Sequence, residues 1–237
     1  MKLYAHRGVM ARYPENTMSA FRAAVDAKAD GIEADVHMTK DGELVLIHDE
    51  TINRTTDGQG RIADMTLAEL RAVNVGVMCG ANDRIPTLEE LIDLCRGTAL
   101  RLNLEVKTDI ERYPGIEERL IDSLRDQHVP AEQVVFSSFN HATLNRLHQL
   151  APEFECAVLL AQPLYEIVAY CKEVGATSVH PHVRTLTDDE ILHLQYVGLA
   201  IRPYTVKTVP DLERFRRLEV DAVFVNDIDW AKAYSTP

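Results

Sequence analysis

The sequence predicts an α/β protein, a (β/α)8 TIM barrel with a small insertion after the second barrel strand. Three observations carry that expectation. Eight short apolar runs read as strands, helical patterns separate them, and one early segment breaks the alternation with a hairpin.

The strand candidates are Leu3–His6, Ile32–Val36, Leu102–Lys107, Val134–Phe139, Cys156–Leu160, Ser178–His182, Ala200–Val206 and Ala222–Asn226. Between the first two, Thr17–Ala27 carries Met18, Phe21 and Val25 at helical spacing, with Asn16 as the expected N-cap and Gly31 closing the turn after it. Thr66-x-x-Glu69, Thr87-x-x-Glu90 and Thr187-x-x-Glu190 have capping-box spacing ahead of further helices. Gly115–His128 places Ile116, Leu120, Ile121 and Leu124 on one face; Asn140 is the expected cap of the next helix, and Pro210 opens another. Strand-then-helix repetition implies parallel neighbours joined by right-handed crossovers. A doubly wound open sheet is the runner-up, but no G-x-G-x-x-G follows the first strand.

Glu43–His48 departs from the repeat. Only Thr39-Lys40-Asp41-Gly42 separates it from the second strand, too few residues for a parallel crossover, so an antiparallel hairpin is expected. Residues 37–85 therefore read as an insertion over the barrel mouth, within a single domain spanning 1–237.

The chain has 237 residues, a length ordinary for one barrel. With 25 Lys and Arg against 37 Asp and Glu, its formal charge is −12, which counts against a general nucleic-acid binder. No apolar run approaches the roughly 18–20 residues of a transmembrane helix, and Met1-Lys2 leads straight into the first strand with no room for a secretory leader. Cys79, Cys95, Cys156 and Cys171 form no C-x-x-C pair and are expected as free thiols, consistent with a cytoplasmic location.

Alternation along the strands marks a site. Ile32, Ala34 and Val36 take one face, and Glu33, Asp35 and His37 the other; the next barrel strand leaves Asn103, Glu105 and Lys107 opposite its apolar set. If the apolar faces meet the helices, the acids enter the barrel, where an unpaired charge costs several kcal/mol, in rough terms. Glu33, Asp35 and Glu105 then form a hard oxygen site suited to one divalent cation, Mg2+ or Ca2+. A carboxylate–lysine network that only orders the core is the competing reading.

His6 and Arg7 end the first strand, before Gly8, which allows a sharp turn. Arg7 presents a fork suited to phosphate oxygens, and Lys107 supplies a second cation. His48 ends the inserted hairpin and can reach the same mouth, giving two imidazoles for proton transfer. His180-Pro181-His182 is a weaker transition-metal candidate. Ser137-Ser138 lacks the glycines of a nucleophile elbow.

His6-Arg7-Gly8, Pro14-Glu15-Asn16-Thr17, Glu33-Ala34-Asp35, Thr39-Lys40-Asp41-Gly42, His48-Asp49, Arg54-Thr55-Thr56 and Leu104-Glu105-Val106-Lys107 occur in that order. Together they resemble the glycerophosphodiester phosphodiesterase family, whose fold is a phospholipase-C-like TIM barrel with an insertion after the second strand. The resemblance implies Glu33, Asp35 and Glu105 as metal ligands, His6 and His48 as the acid–base pair, and Arg7 and Lys107 as phosphate-binding cations. It departs late in the chain: Tyr204-Thr205-Val206-Lys207 stands where the family commonly has W-T-V-N, and Asn226-Asp227-Ile228-Asp229 where it has T-D-x-P. The implied activity is metal-dependent hydrolysis of a small-molecule glycerophosphodiester to sn-glycerol 3-phosphate and an alcohol. The alternatives are a metal-dependent amidohydrolase-type barrel using His180 and His182, and a non-catalytic phosphodiester-binding protein.

Overall fold

The computed structural model describes residues 1–76 and 82–234. Its strands are β1 (Lys2–Ala5), β2 (Gly31–Met38), β3 (Leu44–Leu46), β4 (Arg101–Val106), β5 (Val134–Ser138), β6 (Glu155–Leu160), β7 (Ser178–Pro181), β8 (Ala200–Ile201) and β9 (Ala222–Val225). All but β3 pair in parallel, in the order β8-β7-β6-β5-β4-β2-β1-β9. The chain beyond β8 nearly closes the ring. Asp221 N donates to Ile201 O at 3.1 Å and Val206 N to Phe224 O at 2.8 Å, with Val206 bridged in parallel to Val225. This is the expected TIM barrel.

A helix follows each barrel strand: α1 (Met18–Asp26), α3 (Leu88–Cys95), α4 (Ile116–Asp126), α5 (His141–Leu150), α6 (Ile167–Val174), α7 (Asp188–Tyr196), α8 (Val209–Arg217) and α9 (Ile228–Ala233). The short α2 (Leu67–Arg71) lies between β3 and α3. Capping boxes at Thr66, Thr87 and Thr187 form as the spacing predicts, each satisfying helix-start N–H groups that would otherwise lack partners. Pro210 lies in the first turn of α8, behind a Thr208 cap.

Three local expectations are corrected. Thr17, not Asn16, caps α1, its hydroxyl accepting from Ala20 N; Asn16 has φ 55° and turns its amide into the barrel. Lys28, rather than Gly31, takes the left-handed turn after α1. Gly31 begins β2, where a Cβ would stand 2.9 Å from the Tyr4 ring, so close packing requires the glycine. Asn140 occupies the cap position of α5 but makes no cap bond; its amide donates instead to Thr108 O at 3.0 Å.

The main core lies between strands and helices. Ile32, Ala34 and Val36 of β2 join Leu102, Leu104 and Val106 of β4, with Phe21, Leu91 and Leu120 from the helices. Each such large side chain contributes on the order of 1.5–3 kcal/mol by leaving water. The opposite faces of the strands fill the barrel and are largely polar. Cys95, Cys156 and Cys171 are buried free thiols, as expected; Cys79 lies outside the described residues.

β3 pairs antiparallel with β2, Val36 facing Leu46 and Met38 facing Leu44. The turn is set by Thr39, whose hydroxyl donates to Asp41 Oδ1 at 2.6 Å, and by Gly42 at φ +84°. Ile47 N then donates to Asp35 O at 3.1 Å, so the returning chain brings His48 level with the acidic face of β2. Val45, Ile47, Ile52, Ile62, Leu70, Val75 and Ile85 form a separate small apolar cluster beneath this segment.

Candidate active site

Parallel pairing puts Glu33 opposite Asn103 and Asp35 opposite Glu105. With side chains alternating, all three acids enter the barrel at its carboxyl end. Their ligand oxygens all lie within 4.8 Å of one another. Glu33 is 3% exposed and Asp35 0%.

Asp35 is held on several sides. Arg7 Nε is 3.2 Å from Asp35 Oδ2, Lys107 Nζ is 3.9 Å from Oδ1, and Asn16 Nδ2 donates to Oδ2 at 2.8 Å. Arg7 N donates to Glu33 Oε2 at 2.7 Å, and Lys107 Nζ to Glu105 Oε1 at 2.9 Å. Glu33 Oε1 and Asp35 Oδ1 have no hydrogen-bond donor among the described residues. Buried carboxylate oxygens are rarely left so, because the desolvation penalty goes uncompensated.

The electrostatics show the same strain. Burial pushes Glu33 well above the usual carboxylate range, and the charges of Asp35 and Glu105 add to it. Burial and the Asp35 charge likewise raise Glu105, against the pull of Lys107. Burial opposes ionisation of Asp35 too, but Arg7, His48, Lys107 and the Asn16 amide hold it below its ordinary value. Three converging carboxylates with unpaired hard oxygens fit a divalent cation. A salt-bridge network alone does not account for the two orphaned oxygens.

The histidines sit beside this cluster. His6 Nδ1 meets Asn226 Oδ1 at 2.9 Å; an amide oxygen only accepts, so the Nδ1 proton is held and Nε2 is left with its lone pair. Burial, and then the Arg7 charge, push His6 down to about 4. His48 Nδ1 donates to Asp49 Oδ1 at 2.6 Å. His48 lies close enough for its charge to act on His6, Asp35 and Glu105. The seven candidate residues (His6, Arg7, Glu33, Asp35, His48, Glu105 and Lys107) are thus brought to one place.

His180 and His182 do not form a metal site. His180 is fully buried and its Nε2 accepts from Arg202 Nη1 at 3.2 Å, which occupies the lone pair a metal would need. His182 Nδ1 accepts from Arg184 N, and its ring stands edge-on to Tyr204. Gly8 has φ +75°, as the turn demands, but what approaches it is α1: a Cβ would lie 2.6 Å from the Ala20 carbonyl carbon.

Residues 6–230 match the model of the Glycerophosphoryl diester phosphodiesterase family. The chain belongs to that family. A glycerophosphodiester phosphodiesterase of Caldanaerobacter subterraneus is 38% identical over 226 residues, covering 94% of this chain and 93% of that one. One from Bacillus altitudinis is also 38% identical, covering 97% and 96%. Among solved structures, an Oleispira antarctica phosphodiesterase in complex with the product sn-glycerol-3-phosphate superposes with a TM-score of 0.90 at 26% identity, covering 99% and 96%. The enzyme class is therefore glycerophosphodiester phosphodiesterase, and the amidohydrolase and non-catalytic alternatives fall.

Several residues of the glycerophosphodiester phosphodiesterase site escaped the sequence reading. Asn226 stands in the sequence only as a strand end and a departure from T-D-x-P, and Asn16 only as a cap within Pro14-Glu15-Asn16-Thr17. His37, fully buried, contacts Tyr113 Oη through Nδ1 at 2.8 Å and the His48 carbonyl through Nε2 at 3.2 Å. A carbonyl only accepts, so His37 Nε2 carries the proton and Tyr113 donates to Nδ1. The buried position of His37 on the acidic face of β2 was the available signal. Tyr204, where the family commonly has Trp, donates its hydroxyl to Leu160 O and stands edge-on to Phe139.

Proposed function

We propose that the protein hydrolyses small glycerophosphodiesters to sn-glycerol 3-phosphate and an alcohol, with residues 37–85 forming an insertion over the barrel mouth. Glu33, Asp35 and Glu105 hold one divalent cation, Mg2+ or Ca2+. The two orphaned buried oxygens at Glu33 and Asp35 are the observation that carries this reading. When bound, such a cation neutralises charge on the phosphoryl oxygens.

Arg7 and Lys107 bind the phosphate and stabilise the negative charge that grows on it. His6, held neutral at physiological pH by its burial, has a free Nε2 lone pair with which to take the proton of the nucleophile. His48, carrying a proton on Nε2 besides the one on Nδ1 that Asp49 holds, gives the Nε2 proton to the departing alkoxide. The same pair serves attack by water or by the substrate's own glycerol hydroxyl, with a cyclic phosphate then opened. The buried, unpaired thiols of Cys95, Cys156 and Cys171 support a reducing compartment such as the cytoplasm.

The test is a matrix of EDTA-treated protein with Mg2+, Ca2+, Mn2+ or Zn2+ against glycerophosphocholine, glycerophosphoethanolamine and glycerophosphoglycerol, measuring glycerol 3-phosphate. Release restored by Mg2+ or Ca2+ is expected; no release with any pair would refute the proposal. Replacing either His6 or His48 by Ala should cost about 10²–10⁴-fold in kcat.

A further inference from the structure

Five polar side chains form one unbroken line of hydrogen bonds across the mouth: Arg7, Glu15, Arg54, Asp49 and His48. Arg7 Nη1 donates to Glu15 Oε1 at 2.9 Å. Arg54 donates to both oxygens of Glu15, Nη1 to Oε2 at 2.9 Å and Nη2 to Oε1 at 2.7 Å. It also grips both oxygens of Asp49, Nε to Oδ2 at 2.7 Å and Nη2 to Oδ1 at 3.0 Å. Asp49 Oδ1 finally accepts from His48 Nδ1 at 2.6 Å. Asp49 and Arg54 lie in the segment after β3, whereas Arg7 and Glu15 follow β1.

We propose that Arg54 is a positioning residue: its planar fork locks Asp49 against His48 Nδ1 and Glu15 against Arg7, setting imidazole and phosphate cation in register. This rests on His48 exchanging a proton with the substrate, as proposed above. An ionised Asp49 can only accept, so His48 keeps a proton on Nδ1 and turns Nε2, the atom that exchanges a proton, to the substrate. Arg54 keeps Asp49 ionised, holding its carboxyl well below the usual range. A free Asp49 side chain rotates, and the tautomer of His48 is then no longer specified. Bidentate hydrogen bonding to two carboxylates needs the rigid guanidinium; the compact ammonium of lysine keeps the charge without the geometry. Arg54 side-chain exposure of 48% makes it replaceable without opening a cavity.

Nitrogen-15 histidine spectra of the full-length protein at pH 8 test this directly. The His48 resonances are identified by their loss in His48→Gln. Wild type should show the Nδ1–H tautomer alone, and Arg54→Gln a mixture of the two. kcat on glycerophosphocholine should fall about 10–100-fold, more than KM rises, as misplacement of reacting groups predicts. Arg54→Lys should behave like Arg54→Gln. Adding Arg54→Gln to Asp49→Asn should cost little more than Asp49→Asn alone, because both act through one contact. An unchanged tautomer in Arg54→Gln, turnover within twofold of wild type, or full rescue by Arg54→Lys would overturn the proposal. If His48→Gln itself turned over normally, the acid–base reading would fall. The tautomer measurement needs no turnover and would still decide the role of Arg54.

Discussion

Asn16 grips Asp35 with both ends of its amide. Nδ2 donates to Asp35 Oδ2 at 2.8 Å, and Oδ1 accepts from Asp35 N at 3.2 Å. The carboxylate is thereby fixed in rotation, with Oδ1 free of hydrogen bonds and 3.9 Å from Lys107 Nζ. Groups that orient a metal ligand typically matter by about 10–100-fold in metal affinity. Asn16→Ala should weaken Mg2+ or Ca2+ binding by that factor in isothermal titration calorimetry. In wild type, saturating cation should also raise the unfolding midpoint, the free energy of unfolding growing by about 2.7 kcal/mol at a hundredfold excess over Kd. An unchanged midpoint would remove the acid cluster as the binding site.

Asn226 plays the corresponding part for His6, across the join between the first and last strands. Asn226→Ala leaves the imidazole free to rotate and to change tautomer. kcat should drop roughly 10–100-fold, with the unfolding midpoint moving much less. A variant as active as wild type would show that His6 needs no fixed tautomer.

Glu155 is one of the groups through which acid lowers stability. Burial works to raise its carboxyl, but Arg202 and Arg101 bring it down to about 2. The folded value lies below the unfolded one, so the stabilisation is complete above about pH 5 and is lost as pH falls towards 2. Its size is on the order of 3 kcal/mol. Urea unfolding from pH 7 to pH 3 should show a shallower fall for Glu155→Gln than for wild type. Parallel slopes would contradict this.

Gly8 cannot carry a side chain. Its φ of +75° disfavours any L-residue, and the added Cβ would collide with the backbone of Ala20. Strain and overpacking together should make Gly8→Ala about 2–4 kcal/mol less stable in urea unfolding. Because the same turn sets Arg7, KM should rise as well.

Most of the fold is legible because its signals are local. Alternation in Ile32–Val36 sorts acids from apolar residues within a single strand, and Thr66, Thr87 and Thr187 announce their helices over four residues each. The seven candidate site residues are legible for the same reason: each lies at the end, or on the polar face, of a strand-like run. What was misread depended on partners far along the chain. Asn16 reads as a cap until Asp35 is brought beside it, and His180-Pro181-His182 reads as a metal motif until Arg202 takes the lone pair of His180.

The sequence by itself determined which residues line the barrel and which acids, histidines and cations had to meet there, since strand periodicity admits only one sorting of the faces. Only the tertiary structure decided how they are held: Asn226 on His6 from 220 residues away, and Arg54 bridging Asp49 and Glu15. Barrel closure creates the first contact, and the folding of the segment after β3 against the loop after β1 creates the second; no local pattern encodes a hydrogen bond between segments that meet only in the folded chain.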